Sequence, residues 1–225
     1  PTFLNLLLLS GAYNKFNLSS MKIISYGTEP MPENTLKRLN KVFPDANLMQ
    51  TYGLIELGVM SSKSKDNNSL WVKVGGEGYN TRVVNSMLEI KSNCAMLGYL
   101  NAPSPFTNDG WFKTGDSVEV DGEFIKILGR KSEIINVGGL KVYPQEVENV
   151  ILEMDNVAEV TVYGEKNAII GAIVCARIRL NTNVNKKQFK IYVKELCRER
   201  LEDFKVPVKV AFIAEDLFGV RYKKT

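Results

Sequence analysis

Four stretches concentrate the residue types that do chemistry: Gln50-Thr51-Tyr52-Gly53-Leu54-Ile55-Glu56, Gly110-Trp111-Phe112-Lys113-Thr114-Gly115-Asp116, the run from Gly129-Arg130-Lys131-Ser132 to Gly138-Gly139, and Lys141-Val142-Tyr143-Pro144-Gln145-Glu146-Val147-Glu148. They offer acceptor carboxylates at Glu56 and Asp116, a fork of donors at Arg130, a ring at Tyr52 and a pair of adjacent glycines. The sequence contains no histidine. That excludes Ser-His-Asp triads and Cys-His pairs, and it removes the commonest zinc ligand. General acid–base work must fall to Asp, Glu, Lys or Tyr. Cys94, Cys175 and Cys197 are odd in number, widely spaced and without a CxxC. This pattern argues against a disulfide framework or a cysteine-rich zinc site and points to a reduced, cytoplasmic setting. Taken singly, each stretch also fits a plain turn or an exposed helix start.

Taken together, in this order and spacing, the stretches resemble the adenylate-forming superfamily of acyl-CoA synthetases, peptide-synthetase adenylation domains and luciferases. The resemblance covers nearly the whole chain. It implies that Tyr52-Gly53-Leu54-Ile55-Glu56 is the YGxTE motif, with Tyr52 and Gly53 against adenine and Glu56 on the Mg²⁺ of ATP. Magnesium takes hard oxygen ligands, few of them from protein. Ile55 stands where the family usually has Thr. Gly27-Thr28-Glu29 resembles the loop along the adenine edge. Asp116, preceded by Thr114-Gly115, resembles the carboxylate that accepts from both ribose hydroxyls, as two neighbouring donors suit its two oxygens. Arg130 resembles the arginine on the ribose and phosphate side. Lys131 or Ser132 falls at the family's hinge, where a small residue can absorb a large φ/ψ change. Gly138 and Gly139 resemble the loop that lines the pantetheine tunnel after domain rotation. The tail Glu215-Asp216-Leu217-Phe218-Gly219-Val220-Arg221-Tyr222-Lys223-Lys224-Thr225 is an irregular match to the last motif. It puts Lys224 at the catalytic position, with Lys223 or a merely basic tail as alternatives.

These residues need elements to hold them. Lys22 to Tyr26 reads as a buried strand, Pro32 as a helix start with Leu36, Leu39 and Phe43 on one face, and Ala46 to Thr51 as a second strand. Such alternation predicts a mostly parallel α/β sheet, in which ligands bind at the carboxyl ends of strands, where Gly27 and Gly53 lie. Residues 63–69 read as a polar loop. Leu70 to Val74, Tyr79 to Val84, Met87 to Lys91, Val118 to Val120 and Glu123 to Leu128 read as short antiparallel strands forming a small barrel, with a hairpin turn at Asp121-Gly122. Ile134 to Val137 and Leu140 to Tyr143 flank the glycine pair. Pro144 opens a helix carrying Val147, Val150, Ile151 and Met154. Val157 to Tyr163, Ala168 to Ile178 and Val208 to Ile213 are strands, and Asn185 caps a helix carrying Phe189, Val193, Leu196 and Leu201. The predicted fold class is α/β. The last part of a large adenylation domain, residues 1–129, precedes a small mobile α+β domain, residues 130–225.

Of 225 residues, 44% are apolar and 24% charged, an ordinary globular balance that excludes disorder as the main state. The net charge is +4. Residues 1–129 carry 12 basic and 12 acidic residues, whereas residues 130–225 carry 17 and 13, so the excess sits wholly in the second part. Without an aromatic-and-basic stripe this does not make a nucleic-acid binder, although it suits a small polyanion. The apolar run Leu6 to Leu9 lacks the flanks of a signal peptide and reads as a buried helix, and no stretch is long enough to span a bilayer. Residues 1–51 hold no Ser/Thr/Gly-rich phosphate loop. The expectation is the second half of a longer enzyme, itself inactive as a piece. The intact enzyme would join a small carboxylic acid, through its adenylate, to CoA, or to the phosphopantetheine of a carrier protein. A non-catalytic nucleotide-binding or interaction module is the other class in keeping with Ile55 and the irregular tail.

Overall fold

A computed structural model describes residues 1–214, which form two compact units. One unit comprises Leu18–Met31 and Asn40–Ser132. Here β1 (Ile23–Tyr26) and β2 (Asn47–Gln50) pair in parallel, with Tyr26 opposite Gln50. Helix α2 (Glu33–Val42), most of which groups with the other unit, follows Pro32 as the proline predicts. The short strands β3 (Gly53–Leu54) and β4 (Gly58–Val59) make an antiparallel hairpin with Glu56 in its turn, not at a helix start.

The antiparallel region is a six-stranded sheet of β5 (Ser61–Ser64), β6 (Trp71–Gly75), β7 (Tyr79–Val84), β8 (Met87–Ser92), β9 (Phe112–Asp121) and β10 (Phe124–Arg130), in the order β5-β6-β10-β9-β8-β7. Asp121 pairs with Phe124 across the expected turn. Val72, Val74, Leu88, Ile90, Phe112, Val118 and Ile125 supply its buried side, with exposed Lys73 between Val72 and Val74 on β6. Composition alone hides β5. Its Lys63 and Ser64 fall in the segment 63–69 that reads as a polar loop, yet as an edge strand β5 needs backbone pairing to β6 and little apolar burial.

The other unit comprises Pro1–Asn17, Pro32–Leu39 and residues 133–214. Strands β11 (Ile135–Val137), β12 (Leu140–Val142), β13 (Val157–Asn167) and β14 (Gly171–Leu180) run in the order β12-β11-β14-β13, with β15 (Lys209–Ile213) parallel to β14. Helix α3 (Pro144–Ile151) buries Val147, Val150 and Ile151, and α4 (Lys186–Arg200) buries Phe189, Val193 and Cys197, in one core with Val160, Val162, Val174 and Ile178. Each such side chain contributes roughly 1.5–3 kcal/mol by leaving water. Asn185 caps α4 as predicted, accepting from the backbone N–H of Lys187 and Gln188. Strand β14 starts at Gly171, later than Ala168, because the Asn167 side chain accepts from the N–H of Ile169 and Ile170 and turns the chain there. Helix α1 (Thr2–Ser10) forms where a buried helix is expected, but its apolar residues encircle it, so Leu8 is buried while Phe3 is exposed.

Candidate nucleotide-binding site

Adjacent parallel strands bring their carboxyl ends together, so Gly27 and Thr51-Tyr52 leave β1 and β2 side by side. The Thr51 N–H donates to the Tyr26 carbonyl at 2.7 Å, and the Thr51 hydroxyl donates to it at 3.1 Å. A Cβ on Gly27 would lie 2.4 Å from Thr51 Oγ1 and 2.6 Å from its carbonyl oxygen. The close approach that this glycine permits is to Thr51. Thr28 takes a left-handed φ of 66°, which few non-glycine residues adopt.

Asp116 is placed by an irregularity in β9. Met87 pairs with Ser117, but Glu89 pairs with Lys113, so Thr114-Gly115-Asp116 bulges opposite Leu88. Gly115 takes φ 79°, a conformation that suits glycine. The Thr114 hydroxyl donates to the Leu88 carbonyl at 2.8 Å and accepts from the Asp116 N–H at 3.1 Å. Bulges re-aim side chains, and this one leaves the Asp116 carboxylate nearly buried. There it accepts from the Tyr52 hydroxyl at 2.5 Å on Oδ2 and lies 3.6 Å from Arg130 Nε on Oδ1. Arg130 sits directly opposite Asp116 in the β9–β10 ladder, the register in which cross-strand pairs meet. Burial and then the Asp116 charge push the Tyr52 phenol far above its ordinary value, so it remains a neutral donor.

Glu56 lies on the β3–β4 turn, fixed on its far side by buried Leu57, whose carbonyl accepts from the Tyr79 hydroxyl at 3.0 Å. The Tyr99 hydroxyl donates to Glu56 Oε1 at 2.7 Å. That bond first, then a backbone N–H and the nearby Arg130 charge, hold the Glu56 carboxyl below the usual range, so it is ionised near neutral pH. Among the described residues no Lys or Arg lies within ion-pairing distance of Glu56, and no three His, Cys, Asp or Glu residues cluster as a metal site. A single charged carboxylate fits Mg²⁺, whose other ligands are then phosphate oxygens and water.

Tyr52, Asp116 and Arg130 are therefore brought into one network, with Glu56 near enough to Arg130 to feel its charge. Gly27, Thr28 and Gly53 lie on the same unit. Lys131 and Ser132 lie in a single 3₁₀ turn, and the two units meet in sequence between Ser132 and Glu133. Gly138 and Gly139 belong to the unit of residues 133–214. They form a two-residue turn with φ of 60° and 89° between paired Val137 and Leu140, the signature of a type I′ hairpin. The Gly138 N–H donates to the Ile170 carbonyl and the Gly139 N–H to Asn136 Oδ1, each at 2.8 Å. A Cβ on either would meet nothing within 4 Å, so within this unit the turn, not a close contact, requires them. Lys224 lies outside the described residues. Tyr99 escapes sequence reasoning. Its loop, Ala95 to Leu100, has no periodicity, and the only local signal is the preceding Gly98.

The AMP-binding enzyme C-terminal domain family matches residues 146–218. The chain is 29% identical over 218 residues to the mitochondrial medium-chain acyl-CoA ligase of Mus musculus, covering 92% of this chain and 32% of that protein. It is 37% identical over 130 residues to the 2-succinylbenzoate–CoA ligase of Bacillus licheniformis, covering 56% of this chain and 26% of that protein. Among solved structures it superposes on an ATP-bound RpMatB-BxBclM chimera with a TM-score of 0.85 and 28% identity, over 98% of this chain and 47% of that one. The chain thus spans less than half the length of these relatives.

Proposed function

We propose that this chain, which belongs to the adenylate-forming superfamily, forms part of an enzyme that activates a carboxylic acid with ATP and passes the acyl group to the thiol of CoA. The observation that carries the reading is the joining of Tyr52, Asp116 and Arg130 around one buried carboxylate, with ionised Glu56 close by. In this reading the substrate carboxylate attacks the α-phosphorus of ATP, the bond to the β-phosphate oxygen breaks, and pyrophosphate leaves. The thiol sulfur then attacks the acyl carbon, AMP leaves, and the thiol proton passes to solvent. Both partners of the first step are anions, so the residues act by positioning and by neutralising charge.

Asp116 accepts from the ribose hydroxyls, exchanging its present donors for them. Tyr52 presents its ring to adenine beside Gly27, Thr28 and Gly53. Arg130 holds the ribose and phosphate side. Glu56 holds Mg²⁺, which when bound neutralises charge on the leaving pyrophosphate. Lys224 neutralises the acyl and α-phosphate oxygens.

The division into a large-domain portion, residues 1–129, and a mobile small domain, residues 130–225, belongs to the same reading. The change of unit after Ser132 supports its boundary, whereas Pro1–Asn17 and Pro32–Leu39 group with the second unit. Pivoting at Lys131-Ser132 would withdraw Lys224 and bring the Gly138-Gly139 turn to the thiol, so that one site runs two reactions. CoA is favoured as the acceptor by the CoA ligases among the relatives. The three free thiols suit a cytoplasmic protein, and no helix of the described residues is long and apolar enough to cross a membrane.

ATP–pyrophosphate exchange by the full-length protein, run with a panel of acids, tests the reading. The expected result is acid-dependent exchange that Lys224→Ala lowers by about 10²–10³-fold. No exchange with any acid, together with no ATP binding, overturns it in favour of a non-catalytic module. Trapping the thioester distinguishes the acceptors, since CoA yields a free adduct and a carrier protein an acylated polypeptide.

A further inference from the structure

The loop Ala95–Leu100 holds Glu56 at two points. The Met96 N–H donates to the Glu56 backbone carbonyl at 2.8 Å, and the Tyr99 hydroxyl donates to the Glu56 carboxylate at 2.7 Å. Ala95 and Met96 pack against the core of the antiparallel sheet, which anchors the loop. Beyond that anchor nothing apolar fixes it. Leu97 and Leu100 are fully exposed, and about half of Tyr99 is exposed. Its hydroxyl ends on one oxygen of a carboxylate that stands on a turn tip with no cation paired to it among the described residues.

A glutamate on a turn samples many rotamers, and a ligand that needs one of them must first freeze the rest. A donor that accepts no charge of its own removes that cost without neutralising the carboxylate. A lysine in its place would hold the side chain equally well but would cancel the charge that a cation needs. We infer that Tyr99 is a positioning residue, which pre-orients the Glu56 carboxylate for the divalent cation of a metal–nucleotide complex. The inference rests on the assignment of Glu56 in the function proposed above.

Calorimetric binding of α,β-methylene-ATP to the full-length protein, with and without Mg²⁺, tests it. AMP binding and thermal melting are the controls. Tyr99→Phe keeps the ring and removes only the donor. The expected result is about a fivefold weaker Kd for the magnesium-loaded analogue, the equivalent of one hydrogen bond of ~1 kcal/mol. Binding of the metal-free analogue and of AMP, and the melting temperature, should stay unchanged. Unchanged binding of the loaded analogue overturns the inference. So does an equal loss in all three ligands with a lower melting temperature, because Tyr99 would then be structural. Glu56→Gln in the same titrations separates the two claims. If it weakens the loaded analogue while Tyr99→Phe does not, only the positioning role falls. If Glu56→Gln leaves the loaded analogue unaffected, the metal assignment falls and takes the positioning role with it.

Discussion

Gly27 is the position where a sequence reading and a packing reading demand the same residue for different reasons, and Gly27→Ala separates them. A Cβ there would lie 2.4 Å from Thr51 Oγ1 and 2.6 Å from the Thr51 carbonyl oxygen. The hydroxyl could rotate away, but the carbonyl belongs to the backbone that links β2 to Tyr52, so strand ends must separate. Overpacking of this kind costs ~1–3 kcal/mol. Against it stands the ~0.4–1 kcal/mol that alanine contributes by restricting the unfolded chain, since Gly27 does not use a left-handed φ. The net is a loss of about 0–2.6 kcal/mol, with a central expectation of ~1–2 kcal/mol. For a chain of this size that is a fall in melting temperature of roughly 2–8 °C. Differential scanning calorimetry measures it. Adding Thr51→Ala relieves the hydroxyl contact but not the carbonyl one, and also removes the hydroxyl's hydrogen bond to the Tyr26 carbonyl, so the double variant should recover less than half of the loss. A melting temperature that stays or rises in Gly27→Ala refutes the packing argument. If nucleotide binding were lost all the same, the glycine would be there for the ligand.

The other predictions concern charge, thiols and the departure at position 55. The Arg82 guanidinium holds the exposed Asp109 carboxyl down to about 2, from 3.8. A depressed carboxyl stabilises the fold above its unfolded pKa, and that contribution is lost as pH falls through the folded one, so the Arg82–Asp109 pair should release between about pH 4 and pH 2. Carboxyl ¹³C shifts of Asp109 report it, and a midpoint near the ordinary value would contradict the pairing. Cys94 is exposed, Cys175 is buried with its thiol raised, and burial pushes the Cys197 thiol up to about 11. Iodoacetamide at pH 8 should therefore alkylate Cys94 alone in the native protein, as peptide mass mapping would show; rapid labelling of Cys197 would contradict its burial. The Ile55 side chain is fully exposed, so Ile55→Thr should change stability by less than ~0.5 kcal/mol in urea titrations. Its effect should appear only as tighter nucleotide binding, and a destabilisation above ~1 kcal/mol would show that Ile55 packs on something.

Much of the scaffold is legible because it follows from period and punctuation. Leu36 and Leu39 lie on the buried side of α2, Pro144 opens α3, Asn185 caps α4, and Asp121-Gly122 turns β9 into β10. What escapes reading depends on partners distant in sequence. Ser61 to Ser64 is a strand only because β6 offers a ladder. Asp116 owes its aim to a bulge defined by pairing with Met87 and Glu89, and no local pattern announces a bulge. Tyr99 acquires its meaning from a carboxylate 43 positions away. Motif spacing supplies candidates such as Tyr52, Asp116 and Arg130, but the Tyr52–Asp116 hydrogen bond at 2.5 Å and the Asp116–Arg130 ion pair at 3.6 Å come from the register of β9 on β10 and the exit of β2.

That network also bears on the weakest point of the motif. In the proposed site a threonine hydroxyl at position 55 would add one donor near the phosphates, whereas Ile55 adds none and is exposed to solvent. The residues on either side do not depend on it. Leu54 and Leu57 close the turn through the Leu57 N–H to the Leu54 carbonyl at 3.1 Å, and buried Leu57 anchors it. Glu56 is held from the opposite side by Tyr99 and Met96. The turn therefore keeps its shape whatever occupies position 55, and the change costs at most one hydrogen bond to a ligand, ~0.5–1.5 kcal/mol. A loss of that size weakens a nucleotide about two- to tenfold. It leaves the carboxylates at 56 and 116 placed as before, so in the proposed site Ile55 would tune affinity without deciding whether the site can work.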